Sequence, residues 1–411
     1  MSPLLIMTRE SILMQYQSEC LEALKSVANI RKPFEKVFMD AMKLFMAIPG
    51  RINFLQMGRY GKFSEQTYRN HFVNESFDWF SFNEHLVKEH LPGKRKAIAV
   101  DPSYIPKSGK KTPWLGYFWS GCAGEYKRGL EIMGIGVLDV DNRECMTLGS
   151  VQSPDTKTLD NMDKSLVDWY AGYLVSRREQ IHRISNIVVA DAFFSKSTFI
   201  TPMCNSGFHI ISRFRNDAVL FYPTAEKPTG RRGRPKLYDG PMDFSRLDTS
   251  RCTEHEVDKG KLYGLKAWSK ALKRMVSLVV WYPDEGRTDK WQLYFSTDQS
   301  QSTLDVLEYY RTRFQLEFCF RDSKQYAGIT TCQSTDFRKL AFHFNASLTA
   351  INIAKAACKR MGIPYSISSC KSMIHNAYML ERFICVFGIQ PDTTLIDKIF
   401  KELILFSARA A

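Results

Sequence analysis

YRTRFQLEFCFRDSK, residues 310–324, is the stretch on which the reading of this chain turns. At roughly 100° per residue, Tyr310, Arg313, Glu317 and Lys324 fall within an arc of about 60° on one side of a helix. Leu307, Phe314 and Phe318 form an apolar stripe directly beside that arc. The reactive groups are therefore not scattered over a solvated face but line the edge of the buried one. The plainer alternative for Arg313 and Glu317, four residues apart, is a surface ion pair.

Upstream of this helix the texture is that of a layered α/β protein. KRKAIAVD is an apolar run ending at Asp101. LEIMGIGVLDV and CMTLGSVQ read as a hairpin, with DVDN (Asp139, Asp141, Asn142) at its tip. TLDNMDKSLVDWYAGYLVSRREQI has helical spacing, with Thr158 as a possible cap. NIVVAD is a short buried strand ending at Asp191, and FHIISRF is another. Asp101 and Asp191 are thus placed at the carboxyl ends of buried strands, where open α/β sheets form their ligand crevices. Residues 215–300 interrupt this order with turn signals and the strands KLYGLKAW, MVSLVVWY and WQLYFSTD, which predicts a β-rich insertion. The expected division is a helical DNA-binding domain over 1–92, core over 93–214, a β-rich insertion domain over 215–300, core again over 301–362, and a helical tail over 363–411. Within the first region, PGRINFLQMGRYGKFSEQTYRNHF has a break at Gly58 to Gly61 and Ser64 as an N-cap. Both a helix-turn-helix presenting Glu65, Gln66, Arg69 and Asn70 to a groove and an ordinary helical hairpin fit it.

Composition narrows the class. Across 411 residues, Lys plus Arg total 57 against 43 acidic residues, a net charge of +14, with a pI near 9.2. Such a surplus favours a polyanionic partner, nucleic acid before an acidic membrane surface. The first residues carry no basic leader of the secretory kind, and the longest strongly apolar run, MVSLVVWY, is far too short to span a bilayer. Ten cysteines are scattered singly, without metal-ligand spacing, as in a reduced cytosolic protein. Any metal should therefore be held by oxygen.

Asp101, Asp191 and Glu317 supply such oxygens if sheet and helix meet. Hard cations such as Mg²⁺ prefer carboxylates, and two of them about 3.5–4 Å apart can drive displacement at a phosphodiester. Arg313 and Lys324, beside Glu317, suit a phosphate. Singly, each Asp is as well explained as a turn former or helix cap; together they are not.

The spacing Tyr310-x2-Arg313-x3-Glu317-x6-Lys324 resembles the YREK signature of a large group of bacterial insertion-sequence transposases with the DDE triad. AVDPSYIPKSGKKT around Asp101 looks like that family's first-Asp segment, and VVADAFFSK around Asp191 like its second. ISRFRNDAVLFYP and RRGRPKLY are similar to stretches of one subgroup. The resemblance covers about residues 45–360. It departs from the commoner double-Asp form in having Pro102 after Asp101, which leaves Asp101 as the sole triad candidate there. The resemblance implies a ribonuclease H-like core split by a β-rich insertion, and Mg²⁺ dependence with Mn²⁺ as substitute. It also implies cut-and-paste transfer of DNA bounded by terminal inverted repeats, by a homodimer that pairs the two ends. Asp101, Asp191 and Glu317 would bind the metals, with Tyr310, Arg313 and Lys324 against the DNA backbone.

Other basic residues extend the expected DNA contact. RRGRPK, with Arg231, Arg232 and Arg234, could enter an A·T-rich minor groove or act as a basic loop on phosphates. Lys107 and Lys110, in KSGKK, should face DNA. Trp268, Trp281 and Trp291 read as core residues of the insertion, with Trp291 also a candidate to stack on an unpaired base. Two other classes remain open: a transposase-derived DNA-binding protein without activity, and a ribonuclease H-like nuclease without strand transfer. The expected location is the bacterial cytoplasm, at the nucleoid.

Overall fold

The computed structural model describes residues 11–224, 238–283 and 289–387, together with 402, 403, 405 and 406. The chain begins with five helices: α1 (Ile12–Lys25), α2 (Lys32–Ala47), α3 (Phe54–Tyr60), α4 (Glu65–His71) and α5 (Trp79–His90). Ser11, Asn53, Ser64 and Asp78 cap α1, α3, α4 and α5 by accepting hydrogen bonds from first-turn amides, groups that no helix can satisfy internally. Ser64 thus caps where the sequence places it.

Four strands follow: β1 (Lys96–Pro106), β2 (Gly116–Ser120), β3 (Glu125–Asp139) and β4 (Glu144–Gln152). Three helices, α6 (Thr156–Asn161), α7 (Leu166–Ser176) and α8 (Arg178–His182), then lead to β5 (Ile187–Ala190). Next come α9 (Ser197–Asn205), β6 (His209–Phe214), β7 (Leu220–Pro223), β8 (Tyr238–Pro241) and β9 (Thr253–His255). The longer β10 (Lys261–Ser269) and β11 (Arg274–Tyr282) precede β12 (Gln292–Ser296). Four helices, α10 (Thr303–Thr312), α11 (Phe314–Gln325), α12 (Phe337–Arg360) and α13 (Ile367–Phe387), close the described chain.

All twelve strands belong to one mixed sheet. β4, β3 and β1 are antiparallel neighbours, and β5 and β6 then run parallel to β1. This mixed α/β arrangement is compatible with the ribonuclease H-like core that the resemblance implies. The strands of 215–300 do not form a sheet of their own. β12 pairs with β6, and β11, β10, β7 and β8 continue outward from it.

Alternation along β1 separates the two faces. Ile98 and Val100 enter a large apolar cluster shared with α1, α2, α5, α7, α12 and α13. Ala97 and Ala99 enter a second cluster with Leu307, Leu316, Cys319 and Phe320 of α10 and α11. By the same parity Asp101 lies on the α11 side. The first face is tied down by amides. β4 is paired on one side only, and an unpaired strand edge leaves backbone groups that must find partners. Asn345 and Asn352 of α12, seven residues apart and so on one helix face, supply them. Each side-chain oxygen accepts from a β4 amide (Ser150 at 2.7 Å, Thr147 at 3.0 Å), and each amide nitrogen donates to a β4 carbonyl.

Four features differ from expectation. β1 does not end at Asp101 but continues to Pro106, paired with β3 alone. β2 was not anticipated. Asp155, not Thr158, caps the helix after β4, and that stretch is broken into three helices. The helix around 310–324 is interrupted at Arg313, which ends α10 and begins α11. The apolar stripe shifts with it: Phe314 is 50% exposed, whereas Leu316, Cys319 and Phe320 are the buried apolar residues of α11.

Close packing of α11 on the sheet depends on Gly134, the residue paired with Asp101. A Cβ there would lie 2.4 Å from the Phe320 ring. Gly134→Ala is therefore expected to push α11 from the strand and to cost about 1–3 kcal/mol; an unchanged melting temperature would refute that packing.

Candidate active site

β5 stops one residue before Asp191, and Val100↔Ala190 is its last pair with β1. Asp101 and Asp191 therefore emerge side by side where the two parallel strands part. Pro102 is accommodated because β1 has lost its β5 neighbour by that point. Asp191 leaves the sheet as the cap of a short 3₁₀ turn, its carboxylate accepting from the Phe193 amide at 3.0 Å. The Ser212 hydroxyl holds the Asp191 carbonyl at 2.8 Å.

Glu317 comes from the first turn of α11, and Arg313 joins it to Asp101. The guanidinium donates through Nη1 to Asp101 Oδ1 at 3.1 Å and through Nη2 to Glu317 Oε1 at 2.9 Å. Its side chain is only 12% exposed. The third guanidinium nitrogen, Nε, is buried without a hydrogen-bond partner among the described residues. The ion pair that the spacing allowed as a surface feature is thus an inward one, and it bridges two of the three candidate carboxylates.

The charges show how the carboxylates strain against one another and against burial. Burial pushes the Asp101 carboxyl up to about 7; Arg313 pulls the other way, and Asp191 and Glu317 push it further up. Burial also raises Asp191, against the pull of Arg313. Among the described residues, no group of three or more His, Cys, Asp or Glu side chains is assembled tightly enough to hold a metal ion. A guanidinium already takes up the bonds between Asp101 and Glu317. The donor set itself, all carboxylate oxygen with excess negative charge partly out of water, fits a hard divalent cation.

Residues 174–353 match the family model of the transposase DDE domain. That match supports a DDE-superfamily transposase, an enzyme that acts on DNA. The matched span contains Asp191, Tyr310, Arg313, Glu317 and Lys324; Asp101 precedes it. No curated protein matches the chain. DDE transposases generally use divalent metals, in keeping with the carboxylates gathered around Arg313.

Of the other candidate residues, Tyr310 and Lys324 lie within reach of the carboxylates and Arg313, and the rest are dispersed. The Tyr310 ring lies 4.8 Å from that of Tyr294 and 5.8 Å from the Arg313 guanidinium. Lys324, at the far end of α11, is half-buried and within electrostatic reach of Asp101. Lys107 donates to the carbonyls of Cys332 and Ser334 at 2.6 and 2.8 Å, which engages it with the chain's own loop. Lys110 is exposed. Arg69 pairs with Glu65 at 2.5 Å and covers the Phe54 ring. Arg231, Arg232 and Arg234 lie outside the described residues. Trp291 packs on the core near Phe244, and Trp281 donates to the Lys259 carbonyl at 3.0 Å beneath Arg311. No helix among the described residues is long and apolar enough to cross a membrane.

Sequence reasoning passed over Glu131. It is buried in β3, its carboxylate accepts from the Tyr170 hydroxyl at 2.6 Å, and its charge adds to the upward push on Asp101. The available signal was one acidic residue in the otherwise apolar LEIMGIGV.

Proposed function

We propose that the chain is a DNA transposase that excises and inserts a segment bounded by terminal inverted repeats. The observation that carries this reading is the meeting of Asp101, Glu317 and Arg313, from segments more than two hundred residues apart, beside Asp191. Asp101, Asp191 and Glu317 would hold Mg²⁺, or Mn²⁺ in its place. Such ions, once bound, would activate the attacking oxygen and stabilise the leaving one.

The protein's own groups then have distinct tasks. Arg313, released from Asp101 and Glu317, presents Nε and its two terminal nitrogens to a phosphate in the forked geometry suited to such oxygens. Lys324 adds a point charge, and Tyr310 a hydroxyl, along the same helix pair. Hydrolysis of one phosphodiester frees a 3′-hydroxyl. That hydroxyl next attacks a phosphorus of the opposite strand or of the target, forming one P–O bond as another breaks. Two ends must be processed together, so a homodimer is the working unit. The helices of the first 92 residues, with the basic stretches around Lys110 and Arg231 to Arg234, would hold the DNA outside the site. The place of action would be the bacterial cytoplasm, at the nucleoid.

The test is incubation of the full chain with end-labelled terminal-repeat DNA and Mg²⁺ or Mn²⁺, wild type beside Glu317→Gln. Metal-dependent nicking followed by hairpin or joined product, lost in the variant while binding persists, is expected. Binding without cleavage by the wild type would overturn the assignment. Cleavage that never yields a joined product would leave a nuclease instead.

A further inference from the structure

The β2–β3 hairpin carries the most exposed aromatic side chains of the sheet. Tyr117, Trp119 and Tyr126 are 69%, 52% and 67% accessible. Register places them together: Tyr117 opposes Arg128, and Trp119 opposes Tyr126. Directly opposed residues in an antiparallel pair project to the same side, so all four share one face. Phe118 and Ser120, between them, are buried on the other. The Trp119 and Tyr126 rings meet edge to face at 5.5 Å, an arrangement that leaves ring faces open.

This face lies on the same side of the sheet as the candidate active site. Residues 126, 128, 130, 132 and 134 of β3 lie on one side of the sheet by alternation, and Gly134 is the partner of Asp101. Leu130 and Ile132, midway, pack in the cluster that includes α11. The hairpin tip comes back toward the same helix, for Cys122 lies within electrostatic reach of Lys324, as does Asp101. Its base is pinned: Arg128 donates to the Gly109 carbonyl and Tyr104 to the Arg128 carbonyl, both at 2.8 Å. The first of these bonds sets exposed Lys110 and Lys111 next to the aromatic face.

We infer that this hairpin is a stacking platform for unpaired nucleotides of the DNA strand beside the cleavage site, a reading that rests on the proposed transposase activity. Bases stack on Trp119, Tyr126 and Tyr117, and Lys110, Lys111 and Arg128 neutralise the phosphates. Every base offers a π-face, so the interaction tolerates any sequence. A duplex conceals those faces between its own base pairs and gains little from the rings. A second copy of the chain is a poorer occupant: the three rings expose about 400 Å² together, whereas a stable interface buries roughly 800 Å² per partner. Cations interleaved with aromatics also complement a polyanion, not another chain of net charge +14.

The experiment uses the full chain and fluorescence anisotropy with two fluorescein-labelled probes, an oligothymidylate of about 15 nucleotides and a duplex of equal length. The double variant Trp119→Ala with Tyr126→Ala is expected to bind the single strand about 10–100-fold more weakly, while duplex affinity changes less than about threefold. Trp119→Phe with Tyr126→Phe, which keeps both rings, should restore most of the loss. Equal losses on both probes, or none on the single strand, would overturn the inference. So would a change in sedimentation with oligothymidylate binding unaltered, which would assign the face to self-association. Metal-dependent cleavage by the wild type is scored separately. Its absence alongside ring-dependent single-strand binding would remove the transposase reading and leave the platform, and the converse result would remove only the platform.

Discussion

Asp101→Asn is expected to abolish DNA cleavage, by at least about a thousandfold, and yet to give a protein that melts higher than the wild type at pH 8. The two effects have one cause. Asp101 is partly withdrawn from water in a site that also holds Asp191 and Glu317, and burial followed by these like charges keeps its carboxyl at about 7 against an ordinary 3.8, despite Arg313. An acid whose folded value is raised penalises the fold when ionised. The penalty is fully present above about 7 and disappears as pH falls toward 3.8. A rise of this size corresponds to about 4 kcal/mol, reduced in practice because asparagine offers Arg313 Nη1 only a neutral acceptor in place of the charged one it meets at 3.1 Å. A net gain of about 2 kcal/mol at pH 8 should vanish by about pH 5, where less than half of the penalty remains. Thermal melts of both proteins at the two pH values measure it. Adding Mg²⁺ should narrow the gap by stabilising the wild type more than the variant, since a ligand that binds only the folded state raises its stability. A variant that melts lower than the wild type at pH 8 would mean that the carboxylates are not strained together.

That tension was visible in the letters only in part. The apolar runs before Asp101 and Asp191 are strands because β-branched and small residues fill both faces of a buried sheet, and the hairpin tip at Asp141 and Asn142 follows from turn chemistry. Glu317 and Arg313, four apart, had to share a helix face. Other features left no local mark. β2 was hidden because its alternation is inverted, with Tyr117 and Trp119 toward solvent, so the usual cue of aromatic residues pointing inward failed. The break at Arg313 is announced by neither proline nor glycine; there the Arg313 amide and that of Leu316 bond three residues back, to Tyr310 and Arg313, while the side chain reaches Asp101. Phe314 and Phe318 looked buried because a straight helix was assumed, and the interruption turns Phe314 outward. The helices before residue 92 read as a separate unit because nothing local reveals what covers them. Residues far down the chain do so: Asn352 bonds Asn83 at 2.8 Å, and Arg360 reaches Glu19 at 2.8 Å.

Glu19 is the second place where a single substitution should have a large effect. Its carboxylate lies in α1, buried against α5 and α12, where His90 meets one oxygen at 2.7 Å and Arg360 the other at 2.8 Å. Burial alone would raise the carboxyl, but the hydrogen bonds and charges of His90 and Arg360 outweigh it and hold it at about 2 against an ordinary 4.5. The sign is opposite to that of Asp101. A depressed folded value adds stability that is complete above about 4.5 and is lost as pH falls through about 2. A shift of this size is worth about 3 kcal/mol, within reach of the cost of breaking a buried ion pair. Glu19→Gln is therefore expected to lower stability at pH 7 by about 3 kcal/mol, and the difference from wild type should shrink steadily between pH 4.5 and pH 2. Chemical denaturation of both proteins across that range isolates the effect, because every other carboxylate titrates equally in the two and cancels. Catalysis offers a second reading of the same contact. Glu19 touches no candidate site residue, but α12 lies between it and the sheet that carries Asp101, so cleavage at temperatures below the variant's melt should stay close to wild type. A difference between the two proteins that stays constant from pH 7 to pH 2 would show that the Glu19→Gln substitution removes packing and not charge.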